Sequence, residues 1–438
     1  MKNARFLFKG HEGDLGKGEV LFHFTLESEE KTIDFTEKIS FPPVVSEIPQ
    51  TLLKSILNNL MLILGISYWK TYCPKEIIIE SNFLTYEQAN FWNTVYTKGL
   101  GEFFYKNNID FRGRVKFPYV GNVQEKIISF PRIERVLLGL GGGKDSIVAA
   151  EILKSQNKPF DVFTVGTSLI QEHVAKIMDK KPFVIMRYLD PKLFELNKTS
   201  DVYNGHIPIS VIYAFLGLFG AILYDYRFVV VGNEKSANYG NVTYLGEVIN
   251  HQWSKSEEFE NLLREYVKKF ITLDISYSSL FRNMNELEVT KEFAKYPKYY
   301  RVFSSCNRNF KILKPFGLAQ GGQVQAFGSE AQARRDDKRL WCGKCAKCLF
   351  VFTLLSVFLP KKKILDIFGN NLFEDKTLLK TFKELLGLEN FKPFECVGTP
   401  EEMRLSLEKV SKKGEFSKTP LMEFYVKNKK LLLLVSLE

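Results

Sequence analysis

Cysteine and histidine are scarce in this chain, with six and five respectively among 438 residues. Six thiols cannot staple a chain of this length, so a secreted disulfide scaffold is excluded. Three of them, Cys342, Cys345 and Cys348, crowd into a single short phrase, which points to a metal site. No apolar leader with a cleavage site follows Met1, and together with the sparse cysteines this predicts a reducing, cytoplasmic location. Internal repeats, low-complexity segments and aromatic-basic patches of the kind that grip RNA are all missing. The net charge of +11 favours anionic partners, but the lysines are spread along the chain. Runs such as Lys361–Lys363 and Lys412–Lys413 read as solvated faces, so nucleic acid is not an expected partner. Only residues 207–224, "IPISVIYAFLGLFGAILY", stand out as long, apolar and uncharged. Pro208 suits a first helical turn and "RFVVVGNE" follows as a strand, so this reads as a core helix packed on a sheet, not a membrane span.

The chain is long enough for two or three domains. Residues 1–131 mix strand-like pieces ("GEVLFHFTL", "KTIDFTEKIS") with helical stretches near 47–66 and 85–106, which predicts an N-terminal α+β domain. From 132 to 250 strands and helices alternate. The expected strands are Val136–Leu140, Asp161–Val165, Phe183–Arg187 and Phe228–Val231; the intervening helices are Asp145–Gln156, Gln171–Lys180 and Ile207–Tyr224. That rhythm predicts an α/β, doubly wound parallel sheet. Residues 251–438 read as a mainly helical C-terminal region carrying the cysteine cluster, with an apolar helix at Leu349–Leu359. In doubly wound sheets ligands bind beyond the carboxyl ends of the strands, where "LGGGKDS" and "GNEKSANYGN" both fall.

The glycines at 141–143 join a strand to a helix, a place where backbone N–H groups can cradle phosphate. A Walker A loop would need Ser or Thr after Lys144, where Asp145 stands, and a glycine at Leu138. The dinucleotide fingerprint fails because Lys144 occupies its last glycine position. What remains resembles the S-G-G-x-D-S loop of the PP-loop ATP pyrophosphatases, matched by Gly142, Gly143, Asp145 and Ser146, with Gly141 in place of the first serine. That resemblance implies cleavage of ATP between its α and β phosphates and adenylation of a substrate.

Cys342, Cys345 and Cys348 have C-x₂-C-x₂-C spacing, and Cys306 in "FSSCNRN" is the expected fourth ligand, since Cys73 and Cys396 lie in other regions. Tetrahedral zinc and a [4Fe–4S] cluster both accept this pattern. Gly343 is expected to turn the chain round the metal, and Lys344 and Lys347 to offset thiolate charge. The spacing also resembles the zinc site of 7-cyano-7-deazaguanine synthases, themselves PP-loop enzymes, which implies structural Zn²⁺ here.

Further phrases are "NGHIPIS" (Asn204–Ser210), "VGNEKSAN" (Val231–Asn238), "INHQWSKSEEFE" (Ile249–Glu260) and "FKPFECVGTPEEMR" (Phe391–Arg404). With "GGGKDS", "SSCN" and "WCGKCAKC" they resemble the UDP-N-acetyl-α-D-muramoyl-L-alanyl-L-glutamate epimerase family. The resemblance implies ATP-dependent inversion of the terminal glutamate of a UDP-muramoyl-dipeptide in peptidoglycan precursor synthesis, with release of AMP and diphosphate. A carbanion next to an ionised carboxylate is prohibitive; adenylation removes that charge and acidifies the Cα–H bond. Such chemistry needs a phosphate cradle, a Mg²⁺ ligand and groups that move a proton. Gly141, Gly142, Gly143 and Ser146 are the expected cradle, Lys144 offsets charge, and Asp145 is the expected Mg²⁺ ligand. His206, His251 and Cys396 are candidate acids or bases, with the choice among them open. Asn233, Glu234 and Lys255 are expected nucleotide or substrate contacts, whereas His11, His23 and His173 read as surface or packing residues. The alternative is a PP-loop enzyme that adenylates a nucleobase or carboxylate in tRNA or deazaguanine modification.

Overall fold

The computed structural model describes residues 3–44, 47–121, 127, 129–310, 340–389 and 391–434. Its centre is a nine-stranded sheet in the order β11-β8-β5-β6-β7-β3-β2-β1-β4. The strands are β1 (Arg5–Asp14), β2 (Glu19–Glu27), β3 (Thr32–Ser40), β4 (Glu76–Ile79), β5 (Val136–Gly139), β6 (Phe160–Val165), β7 (Phe183–Tyr188), β8 (Phe228–Glu234) and β11 (Ser276–Phe281). A short hairpin, β9 (Val242–Tyr244) with β10 (Glu247–Ile249), stands apart from it. Strands β11, β8, β5, β6 and β7 run parallel, while β7–β3, β3–β2 and β2–β1 are antiparallel. The fold is thus mixed α/β with a large, mostly parallel sheet.

Strand periodicity assigns the two faces. Leu137 of β5 and Val229 of β8 enter the core shared with the N-terminal strands, and their neighbours Leu138 and Val230 enter the core shared with the C-terminal helices. The apolar helix Ile209–Leu223 lies in the first of these cores. Its Gly217 permits close packing on the sheet, since a Cβ there would sit 2.9 Å from the side chains of Phe163 and Val229. Among the described residues one helical stretch, Gln50–Trp69, is long and apolar enough to cross a membrane, and it is mostly buried inside the protein.

The elements expected between 132 and 234 are present within a few residues of their sequence-read bounds. Strand β11 carries no such signal: "SYSSLF" lacks an apolar run, because this edge strand pairs on one side only, with β8, and buries just Tyr277 and Phe281. Strand order reverses at β5, since β6 and β7 add on one side and β8 and β11 on the other. The crevice between the carboxyl ends of β5 and β8 is where such sheets bind ligands.

Candidate active site

Beyond β5 the chain turns through Gly141–Gly143 into the helix Lys144–Ser155. Gly142 has φ +80°, and a Cβ there would lie 2.7 Å from Ile170 Cγ2. At Gly143 a Cβ would lie 2.6 Å from Ser305 Oγ, whereas Gly141 borders open space. Two glycines are therefore required by the turn, and the third leaves room above it. Gly143 caps the helix without a side-chain bond, leaving the first-turn N–H groups facing the crevice. The Ser146 hydroxyl donates to Gly143 O at 3.1 Å.

The end of β8 brings acid to this loop. Gly232 approaches so closely that a Cβ would meet the Asp145 carbonyl at 3.0 Å. The buried Lys144 ammonium pairs with both Asp145 and Glu286, and Glu286 pairs again with Lys347 at 2.9 Å. Burial would raise the Glu286 carboxyl, but Lys144 and Lys347 hold it down at about 2. For Glu234 the same two lysines compensate only in part: burial and the charges of Glu286 and Asp145 lift it to about 7. Asn233 and Glu234 are both buried at the strand end. A divalent cation would be held here by Asp145 and Glu234, whose mutual repulsion it would relieve.

A second cluster adjoins the first. The Cys396 sulfur lies 3.4 Å from Lys255 Nζ and 3.8 Å from His251 Nε2. The other nitrogen of that ring, Nδ1, pairs with Glu102, which also lies 3.4 Å from His206 Nδ1. The two imidazoles are 4.6 Å apart between centroids. Burial would raise the Cys396 thiol, but Lys255 and His251 pull it down to about 5. Burial would lower His251, yet hydrogen bonds to Cys396 and Glu102 lift it to about 9. These opposite shifts favour a thiolate beside an imidazolium near neutral pH. His206, lowered to about 3 by burial and by the His251 charge, is neutral. Charges on Glu234 and Asp145 act on Lys255 as well, so its ammonium feels both clusters.

Side chains pin the backbone that presents these groups. Asn241 Nδ2 donates to the carbonyls of Lys392 and Pro393, and its Oδ1 accepts from His251 N at 2.8 Å. Gln252 Nε2 donates to Val397 O at 2.9 Å. The Cys396 segment is thereby clamped against His251.

Cys306, Cys342, Cys345 and Cys348 place their sulfurs within 4.8 Å of one another. Separations of 3.7 Å (Cys342–Cys348) and 3.5 Å (Cys345–Cys348) approach the edge of about 3.8 Å expected for a tetrahedron with Zn–S near 2.3 Å. The four thiols fit a metal such as zinc. Lys344 and Lys347 do not act there as expected: their ammonium groups pair with Asp375 and Glu286, because each finds a carboxylate nearby. Lys344 contributes its backbone N–H instead, 3.4 Å from Cys342 Sγ. Glu102, His206 and His251 also bring three ligand atoms together, but the imidazolium and Lys106 on Glu102 oppose a cation there.

The residues expected at the loop (Gly141–Gly143, Lys144, Asp145, Ser146, Asn233, Glu234) thus come together at the carboxyl ends of β5 and β8, and His206, His251 and Cys396 form a cluster with Glu102 and Lys255. Sequence reasoning missed Glu102, Glu286, Lys70 and Lys392. The last two are buried lysines whose amines bond neutral oxygens, Asn204 Oδ1 and Tyr239 O, and burial lowers each to about 8. Glu102 sits on the helix Gly101–Lys106, whose single buried acid in an otherwise apolar "GEFF" was the available signal.

Comparison with known proteins adds a separate line. Residues 1–280 match the family model described as MurL N-terminal domain, and residues 324–433 match MurL C-terminal domain. The UDP-N-acetyl-alpha-D-muramoyl-L-alanyl-L-glutamate epimerase of Xanthomonas oryzae pv. oryzae is 35% identical over 86% of this chain and 79% of its own. A Micromonospora protein of the same name is 32% identical over 96% of this chain and 90% of its own.

Proposed function

The chain belongs to the UDP-N-acetyl-α-D-muramoyl-L-alanyl-L-glutamate epimerase family, and from that premise we propose that it inverts the terminal L-glutamate of this UDP-muramoyl-dipeptide to D-glutamate, using ATP in the manner of the PP-loop pyrophosphatases. One observation supports the reading: Lys255, 3.4 Å from the Cys396 sulfur, also feels the charges of Glu234 and Asp145 beside the glycine-loop helix start.

ATP binds with its phosphates over Gly141–Gly143 and the first-turn N–H groups, with Ser146 close by. Asp145 and Glu234 would hold Mg²⁺, which would supply charge neutralisation on the phosphates. Lys144, fixed between Asp145 and Glu286, keeps Asp145 pointed at the loop. The α-carboxylate of the substrate glutamate displaces diphosphate and becomes the mixed anhydride with AMP. That step removes the negative charge beside Cα and makes the proton removable by the Cys396–His251–Glu102 group. Lys70 and Lys392 offer positive charge to the substrate's remaining anions. Zinc on Cys306, Cys342, Cys345 and Cys348 has a structural role.

The test is incubation with ATP, Mg²⁺ and the dipeptide nucleotide in deuterium oxide, followed by chiral analysis of the glutamate. D-glutamate carrying deuterium at Cα should form only when ATP is present, with AMP and diphosphate in equal amounts. Deuterium incorporation without ATP would sink the activation scheme.

A further inference from the structure

Cys396 has a setting that general-base duty does not explain. The residue is half-buried, and its sulfur stands against a histidine and a lysine on backbone fixed by Asn241 and Gln252. The histidine is itself oriented by Glu102 through its far nitrogen. Nucleophile, base and orienting carboxylate in series are the arrangement of covalent acyl-transfer enzymes, whatever their fold.

We propose that Cys396 is the acceptor of the activated glutamyl group, so that the species epimerised is a thioester on the protein. The inference rests on the adenylation reading above. The thiolate attacks the acyl carbon of the glutamyl adenylate. A C–S bond forms, the acyl C–O bond to AMP breaks, and AMP departs with that electron pair and the proton of His251. Deprotonation and reprotonation at Cα then take place on the thioester. Water afterwards attacks the same carbon, giving one proton to the neutral His251 and the other to solvent; the C–S bond breaks, and sulfur leaves as thiolate with a free D-glutamyl carboxylate. The sum is unchanged: ATP and water give AMP and diphosphate.

Two physical arguments favour nucleophile over base. A thiolate stabilised by two cations loses basicity in full, but its nucleophilicity falls only by a Brønsted coefficient of about 0.4–0.5. It is then a weak base for a carbon acid and still a competent nucleophile. A thioester carbonyl also receives little resonance donation from sulfur, so its α-proton is more acidic than that of a carboxylate. Acylation further removes the negative charge from the sulfur that faces His251 Nε2. The ring left behind is neutral, still held by Glu102, and adjacent to the acyl group.

The experiment uses the whole enzyme with ATP, Mg²⁺ and the dipeptide nucleotide under single turnover, quenched in acid and read by intact-protein mass spectrometry. A mass gain equal to the substrate acyl group is expected, mapping to Cys396 and removed by neutral hydroxylamine. Cys396→Ala should lose that adduct and at least ~100-fold of epimerisation. Absence of an adduct in a wild-type enzyme that still exchanges labelled diphosphate into ATP would overturn the thioester and return Cys396 to a base. An adduct at another residue, or retention of Cα deuterium exchange in Cys396→Ala at near wild-type rate, would overturn it too. If the wild-type enzyme exchanges no diphosphate into ATP, the adenylation reading itself fails, which the mass spectrum alone would not reveal.

Discussion

The Cys396–His251 pair is ionised because each partner stabilises the charge of the other, and its neighbours take sides. Lys255 and Lys347 favour the thiolate, and Glu102 favours the imidazolium, with His206 neutral beside it. The charged pair therefore exists above the Cys396 value of about 5 and below the His251 value of about 9. kcat/KM should rise as pH climbs through the lower value and fall as it passes the upper, as macroscopic constants of the pair. Glu102→Gln removes an anion that raises His251, so the falling limb should move to lower pH and the rate should drop roughly 100-fold. A pH profile with its upper limb unmoved would mean that Glu102 does not control the ring. Asp145→Asn is a different case. It deletes a partly exposed carboxylate and no core atoms, so AMP formation should fall by at least ~100-fold while the thermal midpoint stays near that of the parent. AMP release and calorimetry on one preparation separate the two effects.

At the scale of elements, the four-cysteine segment and the glycine loop are tied together. Ser304 N donates to Gly142 O at 3.2 Å, and the Ser304 hydroxyl ties Cys306 N to Leu340 O, next to the other three cysteines. Metal analysis should find one zinc per chain, and Cys342→Ser should lose it, lower the melting temperature, and weaken ATP binding through the loop. Zinc analysis with a nucleotide titration checks both, and iron with a brown chromophore would contradict it. Gly142→Ala tests the same loop from inside: positive φ and the Ile170 contact predict more than about 1 kcal/mol of destabilisation and loss of diphosphate release.

These elements also mark what could be read from sequence. The strand, glycine turn and helix at 136–155 were legible because periodicity and glycine placement are local signals. Glu286 was not. In the first turn after the Asn285 cap it looks like an ordinary helix-start acid, and only the fold brings Lys144 and Lys347 to it. Glu102 was hidden for a similar reason, since both histidines it holds come from segments far along the chain. Strand alternation identified β2 and β3, but nothing local announced that β3 would pair with β7.

That pairing decides how the whole molecule behaves. Three residue pairs join the antiparallel N-terminal strands to the parallel ones, with Ile39 opposite Arg187. Behind them Arg187, 1% exposed, pairs with Glu37 and donates to Ser67 Oγ at 2.9 Å, while the Tyr68 hydroxyl donates to Glu37 at 2.9 Å. A buried pair of this kind adds little net stability, but removing one partner strands the other charge at a cost of roughly 3–5 kcal/mol. Arg187→Leu should therefore shift the denaturation midpoint strongly. Glu37→Leu with Arg187→Leu should recover most of that loss, since neither charge is then left alone. The transition should also remain single. Phe8 and Phe24 of the N-terminal strands share a core with Leu137, Phe163 and Phe215, so the seam is not the only bond between the two parts. Activity should follow the folded fraction, because Glu102 reaches His251 from the N-terminal side and Cys396 reaches it from the C-terminal side. Two resolved unfolding transitions in Arg187→Leu would show that the two strand sets fold as independent units, and that the seam rather than the shared core holds Glu102 in register with His251.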